Sequence, residues 1–143
     1  MPGRKRPKAD LAGLVERIRF QKTILLDFAR VAAEAKNLRQ LLSIACEQMA
    51  RATGVNHAKV LRYRSESADL QMVAGKGFAP GAIEHAIIAI DMASAPGRSY
   101  QTRGTVRVGN LPENPEFRYD PVLKEHGIVS ILQAPIAIGN VVW

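Results

Sequence analysis

The pattern of apolar and polar positions along the chain predicts two amphipathic helices at its start. After Asp10, which can cap a helix, apolar residues recur at helical spacing. Counted in sevens, they form one seam with a single polar interruption: Leu11, Leu14, Ile18, Gln21, Leu25, Phe28, Ala32 and Ala35. This seam fits a dimerising, signal-relaying helix, and it fits equally a helix packed on its own domain. We assign residues 10–36 to this linker helix.

The second helix carries clearer signals at both of its ends. Asn37, with Gln40 three residues later, resembles a capping box, and Gly54 is suited to end the helix. One apolar stripe runs between them: Leu38, Leu41, Leu42, Ala45 and Met49. Cys46 lies one step from the stripe, with no histidine or lysine close in sequence. We therefore expect a buried, inert thiol.

Beyond Val55 the apolar pattern becomes that of strands with helices inserted between them. We predict strands at residues 57–64, 70–74, 87–90, 105–108 and 128–136, and a last strand from residue 141. We predict helical segments at residues 82–86, 94–103 and 121–126. Polar turns at residues 65–69 and at Gly139-Asn140 indicate hairpins, which join antiparallel strands. The expected class is α+β, with a central antiparallel sheet and flanking helices in residues 37–143.

Composition narrows the class of protein further. The chain has 143 residues, of which 47% are hydrophobic and 23% charged, so we expect one folded domain. A single cysteine excludes a disulfide framework and a cysteine-rich zinc site. Since no apolar run of ~18 residues occurs and the basic start lacks an apolar signal region, we expect no membrane span and a cytoplasmic protein.

The positive charge is concentrated at the start of the chain. The net charge is +7, and four of the excess positive charges are Arg4, Lys5, Arg6 and Lys8, which leaves +3 for the remainder. Residues 1–9 are predicted to be a disordered basic tail, either a nucleic-acid or lipid-binding arm or simply a solvated start. We favour the solvated start, because no aromatic residues for base stacking lie among these charges.

The sequence contains no recognisable catalytic or metal-binding motif. It has no nucleophile elbow, no zinc-protease motif and no phosphate-binding glycine loop. His57, His85 and His126 lie in separate segments without a second ligand at helical spacing, so we expect no metal. Glu113 and Glu116 are interpreted as solvated loop charges. We therefore assign no catalytic residue and expect no enzyme activity in this chain by itself.

Four stretches in a fixed order resemble a GAF domain, the small-molecule sensor module of signalling proteins. They are residues 41–55, 70–77, 99–106 and 126–136. Residues 110–119 and 123–127, with the preceding linker helix, are similar to GAF regions that lie N-terminal in bacterial sensor histidine kinases. The resemblance implies a GAF/PAS-like sheet and a pocket on one of its faces. It also implies that this chain is the input module of a two-component kinase.

The resemblance implies a set of pocket residues and an unknown small-molecule ligand. The candidates are Tyr63, Ser99, Tyr100, Phe117, Tyr119, Ser130 and Gln133. Ser130 and Gln133 are an odd number of positions apart, so a regular strand would point at most one of them into the pocket. Cys46 does not match the position used by bilin-binding relatives, so no covalent bilin is expected. The cysteines of free methionine sulfoxide reductases and the cyclic-nucleotide signature are missing too.

The family pattern also bears on partners. GAF domains continue past the strand at Trp143 with further strand and a closing helix, so the chain resembles a domain that stops short at its C-terminus. An unpaired last strand would offer an edge to a second chain. We expect a homodimer through the linker helix and an attached kinase output domain. The alternatives are a ligand-free dimerisation or interaction module, and a nucleic-acid binder acting through the basic tail.

Overall fold

The computed structural model describes residues 10–143, and the predicted basic tail lies outside them. The helices are α1 (Leu11–Ala33), α2 (Leu38–Thr53), α3 (Ala95–Thr102) and α4 (Pro121–Glu125). The strands are β1 (Ala58–Arg64), β2 (Asp69–Lys76), β3 (Ile87–Ala89), β4 (Val106–Val108), β5 (Ile131–Gln133), β6 (Ala137–Ile138) and β7 (Val141–Val142). Every strand pair in residues 10–143 is antiparallel, which confirms the α+β class.

The strand pairs fall into three ladders. β1, β2 and β3 form a three-stranded sheet, while β4 pairs with β5 and β6 with β7. One backbone hydrogen bond, from Tyr63 N–H to the Trp143 carbonyl at 3.1 Å, links the free edge of β1 to the end of the last hairpin. The expected antiparallel pairing is therefore present, but it is divided rather than continuous.

Two predicted elements are shorter than expected. The strand predicted at residues 128–136 spans only Ile131–Gln133. Backbone groups ahead of it are used elsewhere, because Ile128 N–H bonds the Leu123 carbonyl at 2.9 Å and the Val129 carbonyl accepts from Leu111 at 2.7 Å. The predicted helix at residues 82–86 is a turn closed by Ala86 N–H and the Ala82 carbonyl.

The N-terminal caps of α1 and α2 differ from each other. Asn37 Oδ1 accepts from Gln40 N–H at 2.9 Å, as predicted. Gln40 Oε1, however, accepts from Lys36 N–H rather than from the cap residue, so the capping box is incomplete. Asp10 is the cap residue of α1, yet its side chain makes no capping hydrogen bond. Only its carbonyl takes part, accepting from Leu14 N–H.

Helix α1 packs on its own domain along part of its length, and the dimerising interpretation of its seam stays a prediction. It packs against α2, with Ile24 only 2% exposed. The polar interruption at Gln21 donates a hydrogen bond to the Ala52 carbonyl of α2 at 3.3 Å. Much of the predicted seam remains exposed, together with two neighbouring apolar residues: Leu11, Leu14, Ile18 and Leu25, with Val15 and Leu26. None of the helices in residues 10–143 combines the length and apolar character that a membrane crossing needs.

A β-bulge decides which side chains share a face of the sheet. Val60 pairs with Ala74 and Leu61 with Met72, which leaves Val73 as the extra residue of β2. The bulge brings Gly75 onto the face of Met72, since a Cβ built on Gly75 would lie 3.5 Å from the Met72 sulfur. On this face Lys59 is paired with Gly75, a residue without a side chain.

The buried side chains of residues 10–143 include two hydrophobic clusters. The first contains Leu61, Leu70, Met72 and Ile88. The second contains Ala95, Val108, Leu111, Phe117 and Leu123. Helix α3 contacts β3, β4 and β5, so it joins the three-stranded sheet to the β4–β5 pair. The candidate site lies at this junction.

Candidate functional site

A cavity of about 70 Å³ lies between β1, α3 and the chain that follows β5. Lys59 and Leu61 line it from β1, Ser99 and Tyr100 from α3, and Gln133 from the end of β5. Its walls therefore come from segments far apart in sequence. The cavity is small and partly open at the surface, and its lining combines apolar side chains with polar groups.

Helix α3 is fixed in place at its N-terminus. Ser94, which is fully buried, accepts from Gly97 N–H at 3.1 Å and caps the helix. A Cβ at Gly97 would lie 2.7 Å from the carbonyl oxygens of Ala89 and Asp91. Only glycine allows the first turn to approach the backbone beyond β3 so closely. The position of Ser99 and Tyr100 follows from this contact.

Ser99 closes the other end of α3. Its hydroxyl donates to the Gly104 carbonyl at 2.7 Å, and the residue is only 1% exposed. The chain leaves the helix through Arg103 in a left-handed conformation, with φ at 55°. The hydroxyl proton is thus already engaged, so toward the cavity Ser99 can act only as an acceptor.

Tyr63 and Tyr100 form a stacked pair beside the cavity. Their ring centroids are 4.6 Å apart and the ring planes differ by 26°. Burial, and then proximity to Tyr63, raises the pKa of Tyr100, while Arg103 lowers it. The phenol of Tyr100 is therefore a neutral hydrogen-bond donor at neutral pH. Tyr63 does not itself line the cavity but holds the ring of Tyr100 against the sheet.

Lys59 is the most unusual group at the site. Its amino nitrogen is buried and has no hydrogen-bond partner among residues 10–143. Burial lowers the pKa of Lys59 from 10.5 to about 8, with Asp120 opposing the change. Lys59 was not among the predicted site residues, because a lysine in a strand is normally exposed. The available signal was its alternation with Leu61 and Tyr63, which places all three on one face.

The carboxylate of Asp120 opposes the fall of the Lys59 pKa, and it also interacts with other groups. It is 8% exposed, and burial raises its pKa, while Lys59 and Arg118 lower it. Arg118 Nε lies 3.8 Å from Asp120 Oδ1, and its Nη2 donates to Asp91 Oδ2 at 2.7 Å. Asp120 therefore reduces the electrostatic penalty on Lys59 without forming an ion pair with it.

The structure brings some of the predicted site residues together and separates others. Ser99, Tyr100 and Gln133 line the cavity, with Tyr63 stacked on Tyr100. The other three lie elsewhere: Phe117, Tyr119 and Ser130. Phe117 is in the second hydrophobic cluster, 4.1 Å below the Arg98 guanidinium, and Tyr119 packs against the same cluster. Ser130 is exposed ahead of β5. The loop before α4 folds over the β4–β5 side, which local sequence does not reveal.

A second, more open hollow of about 430 Å³ lies between residues 79–88 and α4. His126 joins its two walls, since Nε2 accepts from Ala79 N–H at 2.8 Å and Nδ1 lies 2.7 Å from the Val122 carbonyl. His126 therefore bridges the segment at Ala79 and helix α4. Within residues 10–143 no group of three or more histidine, cysteine, aspartate or glutamate side chains is placed to hold a metal ion.

Comparisons with known proteins show the fold. No family model matches the chain, and no curated protein matches its sequence. The GAF domain of a phosphoenolpyruvate-protein phosphotransferase from Coxiella burnetii is 15% identical, with a TM-score of 0.75 over 87% of this chain and 73% of that one. A GAF domain from the Acinetobacter phosphotransferase is 18% identical, with a TM-score of 0.68 over 89% and 72%. The nlh2 GAF domain of A. aeolicus, in an inactive state, is 14% identical, with a TM-score of 0.69 over 88% and 76%. The chain has the GAF fold.

Proposed function

From this GAF fold we propose that the chain is a sensory or regulatory domain of signal transduction that binds a small molecule between β1 and α3 and is not itself an enzyme. The observation that carries the proposal is the position of the cavity. It lies along β1, where Lys59, Val60 and Leu61 line it, while α2 packs against β1 and β2. The neighbouring Val60 contacts Cys46 of α2 through its backbone. The same strand therefore contacts both the cavity and the helical layer.

This arrangement gives a route for a signal. A ligand that binds better to one packing of β1 against α3 shifts the population toward that packing. Helix α2 contacts β1 and β2, and α1 contacts α2, so the shift reaches α1 through direct packing. Helix α1, with its exposed apolar residues, then alters the geometry of a dimer and so of the output domain that each copy carries. The structural neighbours include GAF domains of phosphotransferases and an nlh2 domain in an inactive state, which is consistent with a regulatory role.

The attached output that we propose is a sensor histidine kinase. The similarity of residues 110–119 to kinase-linked GAF regions and the 23-residue helix α1 support this interpretation. Inspection of the natural reading frame beyond Trp143 tests it. A helix with a phosphoacceptor histidine followed by an ATPase domain is the expected result, and another type of output domain would contradict it.

Native mass spectrometry tests the ligand-binding proposal. Protein purified without denaturant should carry a low-mass adduct that is released in acid. Gln133→Trp, which fills the cavity, should remove the adduct. Leu132→Trp places the same side chain at the neighbouring exposed position of β5 and should retain it. An adduct that survives Gln133→Trp would place the ligand elsewhere, and absence of any adduct would argue against sensing.

A second candidate function is dimerisation through α1, supported by its exposed apolar stripe. Leu11, Ile18 and Leu25 are 70%, 55% and 66% exposed and recur every seven residues, so a second copy of α1 could cover them. Sedimentation velocity should show a dimer for the wild type and for Thr23→Glu. Ile18→Glu combined with Leu25→Glu should give a monomer. A monomeric wild type would contradict this function, and a dimer that binds no small molecule would favour it alone.

A further inference from the structure

We infer that the open hollow between residues 79–88 and α4 is a second binding site, which takes an uncharged, largely apolar molecule through an N–H or O–H group that bonds the carboxylate of Asp120. The inference goes beyond the proposed function, because it concerns a different part of the molecule and a different ligand. Three features of the structure carry it. These are the size of the hollow, a buried carboxylate without a hydrogen bond, and the balance of charge around that carboxylate.

The hollow has the size and the lining of a ligand site. Its volume of about 430 Å³ is several times that of the cavity beside β1, and small-molecule sites occupy roughly 300–1,000 Å³. Ala82, Ile88 and Val122 contribute apolar surface from three segments of the chain. Both ring nitrogens of His126 already contact backbone groups, so this side chain forms part of the wall and offers no free polar group.

Asp120 is the polar group that remains open to a ligand. The residue borders the hollow and is only 8% exposed, and its side chain makes no capping hydrogen bond to α4. Arg118 Nε lies 3.8 Å from Asp120 Oδ1, which is too far for a hydrogen bond, and the Arg118 guanidinium donates to Asp91 instead. Among residues 10–143 the carboxylate is therefore opposed by charge alone. Because buried polar groups normally have hydrogen-bond partners, a donor is missing here.

The charges around Asp120 favour an uncharged donor over an ion. Lys59 and Arg118 both lower the pKa of Asp120, so two positive charges already act on its carboxylate. An ammonium ligand bound to this carboxylate would add a third positive charge near them. An anion would meet Asp120 itself and Glu125, which lines the same hollow. A neutral N–H or O–H group supplies the missing hydrogen bond without changing this balance.

Titration calorimetry at pH 8 with matched aromatic probes tests the inference. Indole and phenol carry a donor, 1-methylindole and anisole have a methyl group in place of the donor hydrogen, and benzylammonium and benzoate are the charged probes. Indole and phenol should bind about tenfold more tightly than their methylated forms, as expected for one hydrogen bond to a charged acceptor. Glu125→Trp, which fills the hollow, should abolish the binding of indole. Lys124→Trp, at the neighbouring exposed position of α4, should retain it.

A second pair of variants assigns the preference to Asp120. Lys59→Met removes one of the two charges that act on the carboxylate and should keep the preference for indole over 1-methylindole. Asp120→Ala is made in the Lys59→Met background, so that it leaves no buried ammonium group without its opposing charge. This double variant should bind indole and 1-methylindole equally.

Each other outcome would overturn a stated part of the inference. Equal binding of indole and 1-methylindole by the wild type would remove the role of Asp120, and tighter binding of either charged probe would remove the uncharged class of ligand. Indole binding that survives Glu125→Trp, or no binding of any probe, would remove the site itself. These results leave the proposed function intact, since its adduct depends on Gln133 in the other cavity. The comparison of indole with 1-methylindole uses the wild-type protein, so it holds even if a variant fails to fold.

Discussion

Replacing Lys59 by methionine should stabilise the protein at neutral pH. Methionine has a similar length and no charge, so it removes the buried ammonium group without opening a large cavity. The fall of the Lys59 pKa from 10.5 to about 8 corresponds to about 3 kcal/mol, at roughly 1.4 kcal/mol for each pH unit. This gain is an upper figure, because part of Lys59 outside its amino group contacts solvent. At about 3–4 °C per kcal/mol, the melting temperature should rise by up to about 10 °C.

The pH dependence of this gain identifies its cause. Below pH 8 Lys59 is charged in both the folded and the unfolded chain, so the full penalty is present. As pH rises from about 8 toward 10.5, the folded protein binds fewer protons than the unfolded chain, and wild-type stability increases relative to the variant. The difference between Lys59→Met and wild type should therefore be largest near pH 7 and shrink toward zero by about pH 10.5.

Urea unfolding followed by far-ultraviolet circular dichroism measures both quantities. Lys76→Met is the matched control, since that side chain is 51% exposed and its removal should change stability by less than about 0.5 kcal/mol. A Lys59→Met variant less stable than the wild type would show that the ammonium group is well solvated or paired. A stability difference that does not change between pH 7 and pH 10 would refute the electrostatic explanation.

Three further substitutions or modifications test local features. Asn37→Ala removes the oxygen that caps α2 and should lower the free energy of unfolding in urea by about 1 kcal/mol. Asp10→Ala is the control and should have little effect, because the Asp10 side chain makes no capping hydrogen bond. Equal losses in the two variants would contradict the observed caps. Gly97→Ala introduces a methyl group 2.7 Å from backbone oxygens and should lower stability by about 2–3 kcal/mol in thermal unfolding. Gly81→Ala, whose added carbon meets nothing within 4 Å, is its control, and a tolerated Gly97→Ala would show that α3 can move away from β3. Burial raises the pKa of Cys46 to about 11, so iodoacetamide at pH 8 should modify the thiol only after the protein is unfolded in urea. Intact-mass measurement detects the modification. Rapid alkylation of the native protein would contradict the burial of Cys46.

Elements with strong local signals could be predicted from sequence. Asn37 and Gly54 bound α2 closely as expected, and Ser94 begins α3 as its side chain and the nearby proline indicated. The hairpin of β1 and β2 also follows the predicted turn. In each case the residues that set the boundary act on their own backbone, so no long-range contact is needed to find them.

Features set by distant contacts could not be predicted. Ile128 and Val129 favour a strand by composition, but their backbone groups bond α4 and the loop at Leu111. Phe117 and Tyr119 were predicted to lie in the pocket, yet the path of their loop carries them into the other hydrophobic cluster. The burial of Lys59 depends on the bulge at Val73, which alternation along either strand alone does not reveal.

The hydrogen bond between Gln21 and the Ala52 carbonyl restricts how α1 can move. Together with the buried Ile24, it fixes the rotational setting of α1 on α2. Each residue step around a helix turns by about 100°, so even a small axial rotation would pull the amide from its acceptor and expose the isoleucine. A tilt that pivots at this contact keeps the hydrogen bond and the burial of Ile24. If this domain drives an attached effector, the movement that it delivers through α1 is therefore a tilt rather than a rotation about the helix axis.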